Sequence, residues 1–176
     1  MTDYAWAEAI EAACIVVVRD GDRDAIVGAI GANPSTERAA TFREAEAAWN
    51  PDAAPVQVWT SGRFVIVVEP NGYFGSLDET LATLAPEQDA VSLFWNVNSV
   101  MQVTVLARGR VVRRFDPLMY DDGEPPLDEE KGLPFGTDDG DLKAAALVVL
   151  ERRLGVVLTE RALLDDPHPT FDGKPA

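Results

Sequence analysis

Hydrophobic residues between positions 56 and 115 repeat with the two-residue period of β-strands, and short glycine-containing connections interrupt this pattern. The predicted hairpins pair residues 56–60 with 63–69 and residues 101–107 with 110–115. Gly62 and Gly109 stand in the two connections, where glycine allows the positive φ that tight hairpin turns require. The pattern therefore predicts an antiparallel meander.

Two segments are apolar without interruption, which is typical of strands with both faces covered. Residues 15–18 are β-branched throughout, and residues 64–68 are expected at the centre of the sheet. Residues 91–98 alternate instead, which places Asn96 and Asn98 together on the polar face of one strand. We expect an α+β fold in which helices pack on an antiparallel meander sheet of about five to six strands.

Helices are predicted where capping residues precede helical periodicity and where glycine or proline follows it. The predicted helices are residues 3–13, a segment capped by Asp22, residues 35–49, a segment from the Ser76–Glu79 capping box to Leu84, a segment from Asp138 or Asp139 to Leu154, and a segment capped by Thr159. We expect a single domain over residues 1–166, and a loosely ordered tail over the proline-containing residues 167–176.

The chain carries a net charge of −15 at pH 7. Such a charge repels nucleic acids and anionic lipids and favours a basic protein partner, although solubility alone is an alternative explanation for it. Residues 116–141 hold ten acidic residues and one lysine, Lys131. The candidate partner-binding residues in this acidic loop are Asp121, Asp122, Glu124, Asp128, Glu129 and Glu130.

Four arginines surround the second predicted hairpin, namely Arg108, Arg110, Arg113 and Arg114. Charged residues are common on edge strands, where they oppose aggregation. We expect these arginines to pair with the acidic loop or to be solvated, rather than to bind a phosphate.

The residues that common catalytic and metal sites require are scarce. His168 is the only histidine and Cys14 the only cysteine, so zinc sites with several His or Cys ligands are excluded. A Ser-His-Asp triad or a Cys-His pair is not expected, because His168 lies in the proline-containing tail and would have to dock against a nucleophile. The sequence contains no glycine-rich phosphate loop. Cys14 lies in an apolar run and is expected to be a small buried residue. We assign no catalytic residue, no metal and no cofactor.

The segment from Glu69 to Gly75 joins the predicted central strand to the next helix, and two interpretations of it remain open. In the first, Asn71 and Gly72 form a tight turn and Glu69 bonds nearby backbone amides. In the second, Glu69 and Asn71 join Asn96 and Asn98 around a small polar ligand. The second interpretation needs a pocket and, for a general base, a raised pKa.

The first residues are acidic rather than cationic, unlike a secretory signal, and the longest apolar run, residues 12–18, is much shorter than the ~20 residues that cross a membrane. We therefore expect a cytoplasmic protein with no membrane partner.

Several motifs are similar to those of an uncharacterised family of actinobacterial domains of unknown function. They are Glu69-x-Asn71-Gly72-x-x-Gly75, Phe94-Trp95-Asn96-Val97-Asn98, the Gly109 hairpin and Phe115-x-Pro117. The resemblance covers most of the chain, and it implies no activity.

Our first hypothesis is a non-enzymatic cytosolic protein whose acidic surface binds a basic protein, as an immunity or antitoxin-like factor does. The alternative is a small enzyme or ligand-binding domain that uses Glu69, Asn71, Asn96 and Asn98. A purely structural subunit of a larger assembly is a weaker third hypothesis.

Overall fold

The computed structural model describes residues 2–120, 124–137 and 140–174. Eight strands are present in these ranges: β1 (Ala13–Arg19), β2 (Asn33–Ala40), β3 (Pro55–Ser61), β4 (Phe64–Pro70), β5 (Ala90–Trp95), β6 (Met101–Ala107), β7 (Arg110–Phe115) and β8 (His168–Asp172). They form one open antiparallel sheet in the order β2-β8-β3-β4-β1-β5-β6-β7.

Four α-helices accompany the sheet: α1 (Arg23–Ala29), α2 (Phe42–Ala47), α3 (Asp78–Leu84) and α4 (Leu142–Leu154). Short 3₁₀ turns occur at Ala5–Ala9, Phe74–Ser76 and Asp128–Glu130, and a π-helical turn occurs at Arg161–Asp165. Within the described ranges no helix has the length and apolar character needed to cross a membrane.

Helices cover both faces of the sheet, so the central strands are buried on both sides. Helix α4 packs on the face that carries Ile15 and Val17 of β1. Helices α1 and α3 pack on the other face, which carries Val16 and Val18. The prediction that β4 is central is confirmed, since β4 lies between β3 and β1. Continuous apolar runs in β1 and β4 supply side chains to both layers at once.

The expectation of five to six strands was wrong, because the sheet also contains β2 and β8. Strand β2 occupies the first part of residues 35–49, for which helix was predicted, and only Phe42–Ala47 is helical there. The alanine and glutamate content of this segment favours a helix locally, but its backbone pairs with β8 instead. Pairing between distant segments has overridden the local preference.

The tail that was expected to be loosely ordered contributes β8, which lies between β2 and β3. Phe171 of this strand is buried. Pro169 is tolerated because the pairing of β8 with β3 begins one residue later, at Thr170, so that no N–H is needed from the proline on that side.

Several predicted helix starts differ in the structure. The first predicted helix, residues 3–13, is limited to the 3₁₀ turn at Ala5–Ala9, and β1 already begins at Ala13. The Ser76–Glu79 capping box does not form, since the Ser76 hydroxyl donates to the Tyr73 carbonyl. Asp141 caps α4 by accepting from Ala144 N. The predicted caps of α4, Asp138 and Asp139, lie outside the described residues.

Candidate functional site

Glu69 is directed inward at the end of β4 and is only 4% exposed. Its Oε1 accepts from Phe74 N at 3.1 Å, and its Oε2 accepts from Gly75 N at 2.7 Å. Burial raises the pKa of Glu69 to about 7, although the two amide hydrogen bonds act in the opposite direction. This geometry corresponds to the first interpretation, in which Glu69 bonds the amides of the turn.

The turn that Glu69 holds is packed too closely for larger residues. A Cβ added to Gly75 would lie 2.6 Å from Val16 Cγ2 and 2.9 Å from Glu69 Oε2. The Gly75 carbonyl also accepts from the hydroxyl of Ser92 at 2.8 Å. Cys14 is fully buried beside this cluster, as expected, and burial raises the pKa of its thiol. The cluster is a closely packed, hydrogen-bonded part of the core.

Asn71 follows Glu69 in a left-handed conformation, with φ of +56°. Asparagine is one of the few non-glycine residues that adopt this conformation readily. Its N–H donates to the Ala12 carbonyl at 3.1 Å, which ties the turn to the start of β1. The side chain of Asn71 is therefore presented at the end of the sheet.

Asn96 and Asn98 lie beyond the end of β5, which stops at Trp95, and not on a strand face as predicted. The Oδ1 atom of Asn96 accepts from Asn98 N at 2.9 Å and from Val100 N at 3.2 Å. These bonds organise the loop between β5 and β6. Asn96 thus has a structural role and is half-buried.

Three of the four candidate ligand-binding residues meet at one recess. Asn71, Asn96 and Asn98 line a cavity of about 160 Å³ together with Tyr73 and Phe94. Glu69 is not among the lining residues, because the turn that it holds separates its carboxylate from the recess. The structure therefore brings the three asparagine carboxamides together at the recess but places the Glu69 carboxylate away from it.

This carboxamide recess adjoins two larger depressions, of about 520 Å³ and about 430 Å³, and Val97 lines all three. We call the combined surface the rim groove. It follows the end of the sheet where β1 begins and β5 ends. Its larger depressions are lined by residues that include Glu8, Glu11, Glu46, Trp95, Leu118 and Lys143.

Carboxylates dominate the charge of the rim groove. Lys143 is largely engaged, since its Nζ donates to the Ile10 carbonyl at 2.8 Å and lies 3.8 Å from Glu8 Oε2. Burial and the neighbouring carboxyl of Asp141 raise the pKa of Glu8. Glu46 pairs with Arg43 at 3.0 Å. The side chain of Glu11 makes no hydrogen bond or ion pair with the described part of the chain.

Apolar side chains are exposed along the same surface. Val97 is 67% exposed and Leu118 is 43% exposed, and both line the groove. Val100 and Met119, their neighbours in the two loops, are exposed as well. The alternating pattern predicted a strand over residues 91–98, with Val97 on the face opposite Asn96 and Asn98. Because the strand ends at Trp95, Val97 instead lies at the surface.

The acidic loop forms internal ion pairs. Glu130 is buried, where it pairs with the guanidinium of Arg113 and accepts from the hydroxyl of Tyr120. Burial leaves the Glu130 side chain without exposed surface to offer a partner, whereas the predicted pairing of the arginine cluster with the loop is confirmed at Arg113. The other described candidates also have partners: Glu124 pairs with Arg113, Asp128 with Lys131, and Glu129 with Arg153. Asp121 and Asp122 lie outside the described residues.

Sequence reasoning did not identify Glu8, Glu11, Val97 or Leu118 as site residues. Glu8 and Glu11 were noted only as acids near the start of the chain, far in sequence from the other groove residues. The 3₁₀ turn at Ala5–Ala9 and the loops after β5 and β7 bring them together. No local pattern in the sequence signals this meeting.

Comparison with known proteins places the chain in a family without assigning it an activity. The model of DUF6461, a family of unknown function, matches residues 1–168. No curated protein and no solved structure matches the chain. Because the match spans nearly the whole sequence, the chain belongs to the DUF6461 family of unknown function.

Proposed function

We propose that this protein is a non-enzymatic, cytoplasmic binding protein that holds a basic, partly apolar segment of another protein in the rim groove. The observation that carries the proposal is the position of exposed Val97 and Leu118 in a depression that Glu8 and Glu11 also line. Immunity and antitoxin-like factors for cationic proteins are one class with such a surface.

Val97 and Leu118 favour a binding surface because they are grouped, and not because each is exposed. Single exposed hydrophobic residues are normal on protein surfaces, but grouped ones that are rimmed by polar residues mark interaction sites. Val97 and Leu118 come from two different loops and line one depression. A partner that covers them gains the free energy of removing both side chains from water.

The carboxylates of the rim groove favour a partner segment of positive charge. Glu11 has no internal partner among the described residues, and the only lysine lining the groove, Lys143, is engaged by the Ile10 carbonyl. With a net charge of −15 on the whole chain, the groove attracts cationic segments and repels anionic ones. Such attraction accelerates association and weakens as salt screens it.

This site differs from the acidic loop that the sequence favoured. The described acids of that loop neutralise arginines and a lysine of the same chain, which reduces what they offer to a partner. The catalytic alternative has weaker support for a separate reason. Glu69, its acid, is sealed behind the turn at Phe74 and Gly75.

A selection from a random peptide library displayed on phage tests the proposal, with the whole chain as bait. We expect selected peptides to combine Lys or Arg with Leu, Ile or Val, and to lose affinity as salt is raised. Glu11→Gln and Val97→Ser should each weaken a selected peptide by about threefold to tenfold, as judged by fluorescence anisotropy.

Matched controls come from the opposite end of the sheet and from the opposite end of α4. Glu87, exposed before β5, serves as the control acid in Glu87→Gln, and Val157, 45% exposed after α4, serves as the control valine in Val157→Ser. Both controls should bind like the wild type. The proposal fails if no peptide is selected, if the selected peptides are not basic, or if groove and control variants bind equally.

A further inference from the structure

We propose that the bound segment lies extended across the carboxamide recess and that Asn71 and Asn98 form hydrogen bonds with its main chain. This inference rests on the proposed function and adds the conformation in which the partner is recognised. The juxtaposition that carries it is a recess of about 160 Å³ that opens beside Val97 and is lined by three asparagines.

A carboxamide carries both a donor and an acceptor, as does every peptide unit of an extended chain. Within the described residues, the side chains of Asn71 and Asn98 make no hydrogen bond, and the NH₂ group of Asn96 has no acceptor. Donors and acceptors are therefore available together along one short stretch of the groove. A cationic side chain would be served better by carboxylates, which do not line this recess.

The recess is held in place before any partner arrives. Asn71 is fixed by the bond from its N–H to the Ala12 carbonyl, and Gly72 N donates to the Glu69 carbonyl at 3.1 Å. The loop after β5 is fixed by the Oδ1 atom of Asn96 and contains Ser99 at a φ of +57°. Preformed hydrogen-bonding groups bind with a smaller loss of conformational entropy.

The shape of the recess also favours a main chain over a large side chain. Its volume is about a third of that of the adjacent depression of about 520 Å³. Tyr73, 40% exposed, and Phe94 form its aromatic part. A peptide backbone fits beside such a surface, while the basic and apolar side chains of the segment reach Glu11 and Val97.

The test measures binding of a peptide selected on the wild-type protein, before and after N-methylation of its backbone amides. The protein variants are Asn71→Gly, which keeps the left-handed backbone available, Asn98→Ala, and the double substitution. We expect the double variant to weaken the unmodified peptide by about tenfold. N-methylation should weaken binding to the wild type but have little further effect on the double variant.

A second readout follows the side-chain amide resonances of Asn71 and Asn98 by NMR, which should shift when the peptide is added. Urea unfolding checks that all three variants remain folded. If the double variant binds with wild-type affinity while Glu11→Gln and Val97→Ser weaken binding, the main-chain inference is overturned and the proposed function stands.

Other results overturn more. If no peptide is selected, or if every groove variant binds like the wild type, both proposals are overturned.

Saccharides also pair with carboxamides and aromatic rings, so a panel of mono- and oligosaccharides is titrated in parallel. If saccharide binding depends on Asn71 and Asn98 while peptide binding does not, a saccharide is the occupant of the recess and the main-chain inference is overturned.

Discussion

Arg113 and Glu130 form a buried ion pair, with 3.0 Å between the Nε of the arginine and Oε1 of the glutamate. The two residues come from opposite charge clusters of the sequence, the arginines of β7 and the acids of the loop that follows. Glu130 also accepts from the hydroxyl of Tyr120 and from Leu127 N. The pair attaches the acidic loop to the sheet.

Glu130→Gln should destabilise the protein by roughly 3 kcal/mol, because the guanidinium of Arg113 would stay buried without its main counter-charge. Urea unfolding at neutral pH measures the change. Asp128→Asn, which breaks an exposed pair with Lys131 in the same loop, is the control and should have no measurable effect. Equal stabilities of the two variants would contradict a supporting role for the Arg113–Glu130 pair.

The stability of the protein should depend on the ionisation of Glu69. Burial raises the pKa of Glu69 to about 7 in the folded protein, while an unfolded glutamate has a pKa of about 4.3. Between these values the folded state holds a proton that the unfolded state releases. The contribution of protonated Glu69 to the free energy of unfolding is therefore complete below the pKa of the unfolded state. It is lost as pH rises through the pKa of the folded state.

Glu69→Gln supplies the comparison, since glutamine does not titrate. Relative to this variant, the wild type should lose roughly 3 to 4 kcal/mol of unfolding free energy between about pH 4.5 and about pH 7.5. The other titratable residues are the same in both proteins, so their own contributions to the pH dependence largely cancel. Urea unfolding across this range measures the difference, and a constant difference would show that Glu69 titrates normally.

One substitution should have opposite effects at two glycines. In Gly75→Ala the new Cβ would lie 2.6 Å from Val16 Cγ2, and we expect a loss of about 1 to 3 kcal/mol. In Gly28→Ala, within α1, no atom lies within 4 Å of the new Cβ, and we expect a gain of about 0.5 to 1 kcal/mol. The midpoint temperature of thermal unfolding should fall for Gly75→Ala and rise for Gly28→Ala. If both midpoints move in the same direction, close packing at Gly75 does not explain the effect of its substitution.

Phe171→Ala should destabilise the protein by about 3 to 5 kcal/mol, because the ring is buried in the core. It is carried by β8, the strand that lies between β2 and β3. Phe171→Leu, which keeps most of the apolar volume, should cost clearly less. Urea denaturation distinguishes the two variants. If neither variant changes the unfolding midpoint, β8 does not contribute to the folded core.

Cys14 should be unreactive toward a thiol reagent such as DTNB in the native protein, since the thiol is fully buried and burial raises its pKa. In urea it should react at the rate of a free cysteine. Absorbance of the released thiolate follows both reactions. Rapid reaction under native conditions would place Cys14 outside the core.

Short-range patterns predicted most of the central sheet, because each of those elements is specified by residues that are neighbours in the chain. The β3–β4 hairpin follows from Gly62 between two apolar runs, and α4 ends at Gly155, whose φ is +72°. The same reasoning failed for β2 and β8, whose strand conformation depends on pairing with each other across more than a hundred residues. Their own residues favour a helix and a loosely ordered tail.

The candidate site shows the same division. The Asn71–Gly72 turn and the amide contacts of Glu69 were foreseeable, because they lie within one turn of the chain. Whether Glu69 would reach the recess was decided by the turn that separates them. Glu11, Val97 and Leu118 became a candidate binding surface only through the packing of three loops at one end of the sheet.

By itself, therefore, the sequence determined the antiparallel character of the sheet, the burial of its central strands and the excess of negative charge, since each depends on local periodicity or composition. Tertiary structure alone decided which acids are neutralised and which remain at the surface. The reason is that Coulomb interactions depend on distance in space. Arg113 forms an ion pair with Glu130 although the two are 17 positions apart in the chain.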